Sequence, residues 1–286
     1  MIFLTSGPKS WASARIRCHW PAQHIEGAVV KEITKATMEE VWAHDVVVFQ
    51  KHSAPELQKK LIEAGKQVYW DACDPMWWFS PKQSRLTCEN ITGAVVPTQP
   101  LADDLRAWHP GVDVTVIPDC LDLDHFPLQR HHRHSDPVRL VWYGIAVNRV
   151  ALAGAWANLA RLKANGLNVE LTVMDDRPDM PLPYGNEIPV YYSRWALDKE
   201  NEVIANHDIA LLPPYPGAWG RVKSDNKALT AIACGVPPID GFEYESLLDL
   251  VISAEARVKT GILNLERLSG RESKDAAGMW EGLLNG

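Results

Sequence analysis

The sequence predicts an α/β protein made of two consecutive parallel-sheet domains, and three observations carry that prediction. Short apolar runs rich in valine and isoleucine alternate with helical patterns along the chain, the order expected when parallel strands are joined by helical crossovers. The alternation is broken at 129–137, a polar, basic stretch (Gln129-Arg130-His131-His132-Arg133-His134-Ser135-Asp136-Pro137) without either period, which reads as a linker. The strand–helix rhythm then resumes at Val138. With 286 residues the chain has room for two such domains, expected over 1–128 and 138–266, followed by a C-terminal helix over 267–286.

Each element has a local reason. Residues 2–5 and 46–49 are short buried strands, and 37–43 is helical. After the second strand, Ser53 as cap, Pro55 in the first turn, Glu56 as partner and Gly65 as stop predict a helix burying Leu57, Leu61 and Ile62. Strands follow at 67–70, 94–96 and 114–117, with a Thr98-capped helix burying Leu101, Leu105 and Trp108 before the last of them. In the second half, strand 138–143 ends at Gly144, and helix 150–163 turns Leu152, Trp156, Leu159 and Leu162 inward before Asn165-Gly166 stops it. Strands 169–174, 209–212 and 236–239 complete the series. Helices are expected from an Asp198 cap to 206, from Ser224 or Asp225 to Gly235, and over 271–284.

Composition excludes several classes. No apolar run reaches the roughly 18–20 residues that span a bilayer, and the apolar start at 1–5 has no basic leader and stops at Ser6-Gly7-Pro8. The five cysteines are scattered without a C-x-x-C pair, which argues against a zinc site or disulfide framework and for a reducing, cytoplasmic setting. A net charge of −7 does not advertise nucleic-acid binding. Twelve tryptophans supply indole faces that serve cores or stack on sugars and bases. His131, His132 and His134 lack partner carboxylates, so they read as solvated rather than metal-binding.

Ligands of open parallel sheets sit beyond the carboxyl ends of the strands, where helix N-termini and backbone N–H groups face outward. Four strand-end loops therefore carry the candidate chemistry. In 144–149, Gly144 permits close backbone approach, Asn148 lines the turn and Arg149 offers a bidentate cation for phosphate. In 213–237, an aromatic- and glycine-containing loop with Tyr215 leads to Lys223, Ser224, Asn226, Lys227 and Thr230 around a helix start, where dipole and cations favour a diphosphate. In the Ser13-Ala14-Arg15-Ile16-Arg17 segment, Ser13, Arg15 and Arg17 offer anion or acceptor contacts. In 71–78, Asp71 and Asp74 beside Trp77 and Trp78 suit hydroxyl binding or general-base work, or alternatively Asx caps of the next turn.

At these residues the chain resembles the nucleotide-sugar glycosyltransferases of the GT-B fold, family 4-like. Lys223-Ser224-Asp225-Asn226-Lys227 followed by Leu229-Thr230-Ala231-Ile232-Ala233-Cys234-Gly235-Val236-Pro237 is similar to the family's donor segment. Asp208-Ile209-Ala210-Leu211-Leu212-Pro213 is similar to its preceding strand, and Val116-Ile117-Pro118-Asp119-Cys120-Leu121-Asp122 to its interdomain signature. The resemblance implies two Rossmann-like domains facing across a cleft, the donor held by the C-terminal one and the acceptor by the N-terminal one. It implies Arg149 and Lys223 as paired phosphate cations, Lys227 as a third, no cofactor and no bound metal. The chain departs from the pattern at Thr230, where a ribose-binding carboxylate is usual, and at Val222, the first position of the usual glutamate pair.

The implied reaction is glycosyl transfer from a nucleoside-diphosphate sugar to a hydroxyl, with retention; if inverting, Asp71 or Asp74 is the base. The acceptor is expected to be a saccharide or a hydroxymethylated DNA base, the latter through a basic aromatic cleft of Arg15, Arg17, Arg130 and Arg133 with Trp77 and Trp78. Rival readings are a non-catalytic nucleotide-sugar binding protein and an epimerase or hydrolase acting on the nucleotide sugar.

Overall fold

The computed structural model describes residues 1–183 and 187–285. The chain divides into two compact units, one of residues 1–122, 221–224 and 270–286, the other of 123–220 and 225–269.

The first unit is a six-stranded parallel sheet of β1 (Ile2–Thr5), β2 (Val29–Glu32), β3 (Val46–Gln50), β4 (Gln67–Asp71), β5 (Gly93–Val96) and β6 (Val114–Val116), in the order β2-β1-β3-β4-β5-β6. The crossovers include α1 (Met38–Trp42), α2 (Pro55–Glu63), α3 (Pro81–Cys88) and α4 (Gln99–Trp108). Strands β1, β3, β4 and β5 are buried on both faces, which is why their sequences run as unbroken apolar stretches. Thr37 and Glu40 close a full capping box on α1, and Thr98 Oγ1 accepts from the Leu101 N–H at 3.2 Å on α4. The Ser53–Glu56 box expected on α2 does not form: Ala54 is the N-cap residue, and the Ser53 hydroxyl pairs instead with Thr87 of α3.

The C-terminal helix α10 (Ser273–Asn285) belongs to this unit. Its Trp280 is fully buried, edge-on to Phe3 and Tyr69 with ring centroids at 5.4 and 6.1 Å. Backbone bonds of 2.8 Å exchanged between Leu121 and the segment Arg271–Ser273 fix its entry.

The second unit is a five-stranded parallel sheet of β7 (Val138–Tyr143), β8 (Val169–Asp175), β9 (Val190–Arg194), β10 (Ile209–Leu211) and β11 (Pro238–Ile239), in the order β11-β10-β7-β8-β9. Its helices include α5 (Leu152–Ala164), α6 (Glu200–Ala205), α7 (Asn226–Ala233), α8 (Tyr244–Ile252) and α9 (Ala254–Leu265). Leu152, Leu159 and Leu162 of α5 are fully buried as expected, but the 3₁₀ turn Ala146–Ala151 precedes them where helix was expected from 150. Lys199, not Asp198, stands at the N-cap position of α6.

The basic stretch after Phe126 contains no helix or strand, yet it is strapped to the second unit. The Arg130 N–H donates to the Cys234 carbonyl at 2.8 Å, the Arg130 guanidinium pairs with Asp208, and His132 Nε2 lies 2.9 Å from the Gly235 carbonyl. The compact units divide at Asp122/Leu123, so residues 129–137 lie inside the second unit rather than between the two.

Candidate functional site

In a doubly wound sheet the crevice for ligand opens where strand order reverses direction, at the carboxyl ends of the two central strands. Each unit has one such switch point: between β1 and β3 in the first, and between β7 and β10 in the second.

At the second switch point, Gly144 follows β7 and α7 follows the loop after β10. Asp225 holds the N-cap position of α7 and its side chain makes no cap hydrogen bond there, so the positive end of the helix dipole faces the loop. The Lys227 ammonium lies across Gly144. A Cβ at that glycine would stand 2.8 Å from Nζ and 3.2 Å from the Trp142 ring, so a side chain there would displace the lysine from this place. Nζ sits 5.2 Å from the Trp142 ring centroid, and the Tyr143 hydroxyl donates to the Lys227 carbonyl at 2.5 Å. Asn226 is half-buried in the first turn of α7 and Thr230 is buried one turn on. Tyr215 is half-buried in the loop after β10, where Gly220 approaches the Tyr215 carbonyl so closely that a Cβ would overlap it at 1.9 Å. Asn148 closes the turn after Gly144 through its N–H to the Ile145 carbonyl at 2.9 Å.

Arg149 differs from the sequence expectation. Its guanidinium is 7% exposed and spans Asp175 with both Nε and Nη2, the latter at 2.7 Å, while Nη2 also reaches the Arg177 carbonyl at 2.6 Å and Nη1 the Met180 carbonyl. The Asp175 hydrogen bonds raise it above its ordinary value. The cause is topological: Asp175 ends β8, the neighbour of β7, so the residue following β7 by one turn meets a buried carboxylate before it meets a ligand. Arg149 in this structure braces the loop.

At the first switch point, a turn of π-helix over Arg15–His19 buries both arginines that were expected to offer anion or acceptor contacts, Arg15 at 2% and Arg17 at 3% exposure. Arg17 donates Nη2 to Asp71 Oδ1 at 3.0 Å and Nε to both Asp71 oxygens at 3.1 Å. Its Nη1 meets the Ile117 carbonyl at 2.5 Å and Asp119 Oδ1 at 3.2 Å. Burial opposes its charge, but Asp71 and Asp119 hold the guanidinium above its ordinary value. Asp71 is fully buried, and burial raises its carboxyl against the pull of Arg17. Ser224, in the short segment 221–224 of this unit, donates its hydroxyl to Asp119 Oδ2 at 2.5 Å.

Asp74 is the second charged centre. One oxygen pairs with Lys51, which follows β3, and the other with Lys223. Burial alone would raise the carboxyl, but Lys223 and Lys51 bring it below the usual carboxylate range. Trp77 is buried in the core, stacked against Trp108 at 6.1 Å, so it is not a surface platform. Trp78 is 37% exposed, and the Nε1 groups of Trp77 and Trp78 both donate to Asp104 Oδ2, at 2.7 and 2.8 Å. Ser13 is half-buried on the turn before the π-helix. Three of the four arginines of the expected basic aromatic cleft are spent elsewhere: Arg15 and Arg17 are buried in the first unit, and Arg130 is paired with Asp208 in the second, while Arg133 is exposed.

No protein-family model and no curated protein sequence matches the chain. Solved structures do. TarM matches with a TM-score of 0.60 at 13% identity, over 84% of this chain and 55% of that one. The S. aureus TarM structure at 12% identity and TM-score 0.58 holds fondaparinux, α-GlcNAc-glycerol and UDP. A Listeria monocytogenes protein described as a candidate UDP-N-acetylglucosamine 2-epimerase matches at 13% identity with TM-score 0.57, over 97% of this chain and 93% of that one. The chain shares their fold. At such identities the likeness is one of architecture, two parallel-sheet units of GT-B type, and the chain spans only about half the length of TarM.

Several polar partners of these side chains are not singled out by the sequence: Lys51, Asp104 and Asp175. Lys51 and Asp175 sit at or just beyond strand carboxyl ends, the place where such residues should have been sought. Their partners were invisible because strand order, which brings β3 beside β4 and β7 beside β8, is not written in residue spacing. Among the described residues, no cluster of three or more His, Cys, Asp or Glu has the spacing of a metal site. Burial also sets the free thiols aside as nucleophiles: Cys73 is pushed up to about 12 and Cys234 to about 12.

Proposed function

We propose that this protein is a glycosyltransferase that takes a sugar from a nucleoside-diphosphate donor bound by the second unit. The observation that carries the reading is the Lys227 ammonium lying over the side-chain-free Gly144, in the first turn of α7, at a sheet switch point. A helix dipole, a cation and an approachable backbone together suit a diphosphate. The architecture shared with TarM and the other sugar-nucleotide proteins supports the choice of a sugar diphosphate. Lys227, Asn226, Gly144, Asn148, Tyr215 and Thr230 form the donor set in this reading. Lys223 and Ser224, which pair inside the first unit with Asp74 and Asp119, are assigned to the acceptor side together with Trp78.

The reaction proposed is retaining and independent of a metal or cofactor. Asp71 is locked to Arg17, and Asp74 is shared by two lysines and held below the ordinary carboxylate range, so neither is tuned as a general base. That chemistry favours a donor phosphate that takes the acceptor proton itself, on the same face from which the leaving group departs, with Lys227 and the α7 dipole offsetting the developing negative charge. The acceptor proposed is a saccharide hydroxyl.

The test begins with a thermal-shift screen of nucleoside diphosphates and their sugars, since a ligand of the folded state raises its melting temperature. A stabilising donor is then incubated with saccharide acceptors and the product's anomeric coupling read by NMR. A retained anomeric centre supports the mechanism; an inverted one removes it. Free sugar or an epimerised donor formed without acceptor assigns the site to hydrolysis or epimerisation instead.

A further inference from the structure

Lys51 is, among the described residues, the one non-glycine with positive φ, at 57°. Seven glycines share that left-handed region, where a side chain is disfavoured and glycine is not. A turn that needed only its backbone shape would be served by glycine, so the lysine side chain itself has a use there. It sits at the first unit's switch point, directly after β3, and its N–H extends the ladder to the Asp71 carbonyl at 3.0 Å. Its ammonium reaches Asp74 Oδ2, leaving Oδ1 to Lys223. The Asp74 side chain is 8% exposed, and the cluster meets solvent along the two lysines, 26% and 38% exposed.

We infer that Lys51 is a positioning residue: its ammonium fixes one oxygen of Asp74 so that the carboxylate presents its remaining lone pairs to a hydroxyl of the acceptor. The inference deepens the transferase reading and rests on it for the identity of that hydroxyl. A carboxylate has about four lone-pair sites, and two ammonium contacts leave two. The groups that act on Asp74 all come from this unit. They are Lys223 of the segment 221–224 and Lys51 after β3, with Cys73 on its own stretch coupled to it. Removing the Lys51 cation therefore leaves, among the described residues, Lys223 as the cation paired directly with Asp74. Burial then pushes the carboxyl upward with less to oppose it.

Three variants test this. Lys51→Met keeps the stem without the charge, Lys51→Arg keeps the charge, and Lys51→Gly relieves the backbone while removing the cation. With the donor and acceptor found above, Lys51→Met is expected to raise the acceptor KM about tenfold while leaving the UDP dissociation constant within about twofold, with Lys51→Arg restoring the KM. In ¹³C-carboxyl NMR, Asp74 is expected to titrate about one pH unit or more higher in Lys51→Met than in wild type. Lys51→Gly should reproduce the kinetic defect with an unchanged or higher melting temperature, which separates positioning from folding.

An unchanged acceptor KM in folded Lys51→Met or Lys51→Gly overturns the inference, as does a UDP dissociation constant that moves as far as the KM. If wild type transfers no sugar, the transferase reading fails by itself, and the NMR titration still decides whether Lys51 sets Asp74: an unmoved Asp74 titration in Lys51→Met refutes it.

Discussion

Replacing Arg17 with methionine removes one guanidinium and leaves two carboxylates, Asp71 and Asp119, inside the first unit without it. Arg17 is 3% exposed and makes contacts with both acids and with the Ile117 carbonyl. Breaking a buried ion pair by deleting one partner costs about 3–5 kcal/mol, because the remaining charge stays desolvated. The orphaned Ile117 carbonyl adds about 1 kcal/mol, and the methionine stem recovers part of the packing, so a loss of about 4 kcal/mol is expected. Urea unfolding followed by tryptophan fluorescence reads it, since Trp70, Trp77 and Trp280 are buried in this unit.

The pH dependence sharpens the test. In the variant, burial raises the Asp71 carboxyl further, and its ionised form is the destabilising one. Lowering the pH from 7 toward 4 lets it protonate, so the deficit of Arg17→Met relative to wild type should shrink. The double variant Arg17→Met/Asp71→Asn should recover stability over Arg17→Met at pH 7. A loss under about 1 kcal/mol, or a larger loss independent of pH, would refute the view that Arg17 neutralises this cluster.

Three further outcomes are expected. Lys227→Ala should weaken binding of the nucleoside diphosphate found in the screen about tenfold, ~1.4 kcal/mol, measured by calorimetry, with little change in melting temperature. Trp280→Ala empties the fully buried slot between Phe3 and Tyr69 and should cost about 3–5 kcal/mol in urea unfolding. Asp208 is buried, which raises its carboxyl, yet the Arg139 N–H, Arg130 and Ser135 hold it below the usual range. A carboxyl depressed in the folded state contributes stability above its unfolded value, about 3.9, and loses it as pH falls through the folded value. Asp208→Asn should therefore be less stable than wild type at pH 7, and the gap should close as the pH falls below about 4.

Most of the sheet framework was legible because doubly covered parallel strands must be apolar throughout, so runs such as Val46-Val47-Val48-Phe49 announce themselves. Weaker strands were not: β2 (Val-Val-Lys-Glu) lies at a sheet edge, half-buried along its length, and its polar half hides the pattern. Helix α9 was missed for a related reason, since only Arg257 of it is buried and its apolar residues face outward. For the candidate site, the meeting of Gly144 and Lys227 follows from their places at a strand end and a helix start. Arg149 and Arg17 are of a residue type that suits phosphate, whereas their carboxylate partners lie 26 and 54 residues away at the ends of other strands. Charge at a strand end marks a place where polar groups converge; spacing alone does not say whether the partner is substrate or protein.

The first unit is drawn from three separated stretches of chain, its last contribution being α10 with Trp280 in the core. During synthesis the second unit, complete at Ser269, emerges before the first can close. The order of maturation is thus inverted with respect to the order of translation. Until that tryptophan arrives, the faces of Phe3 and Tyr69 that it will cover stay open to water.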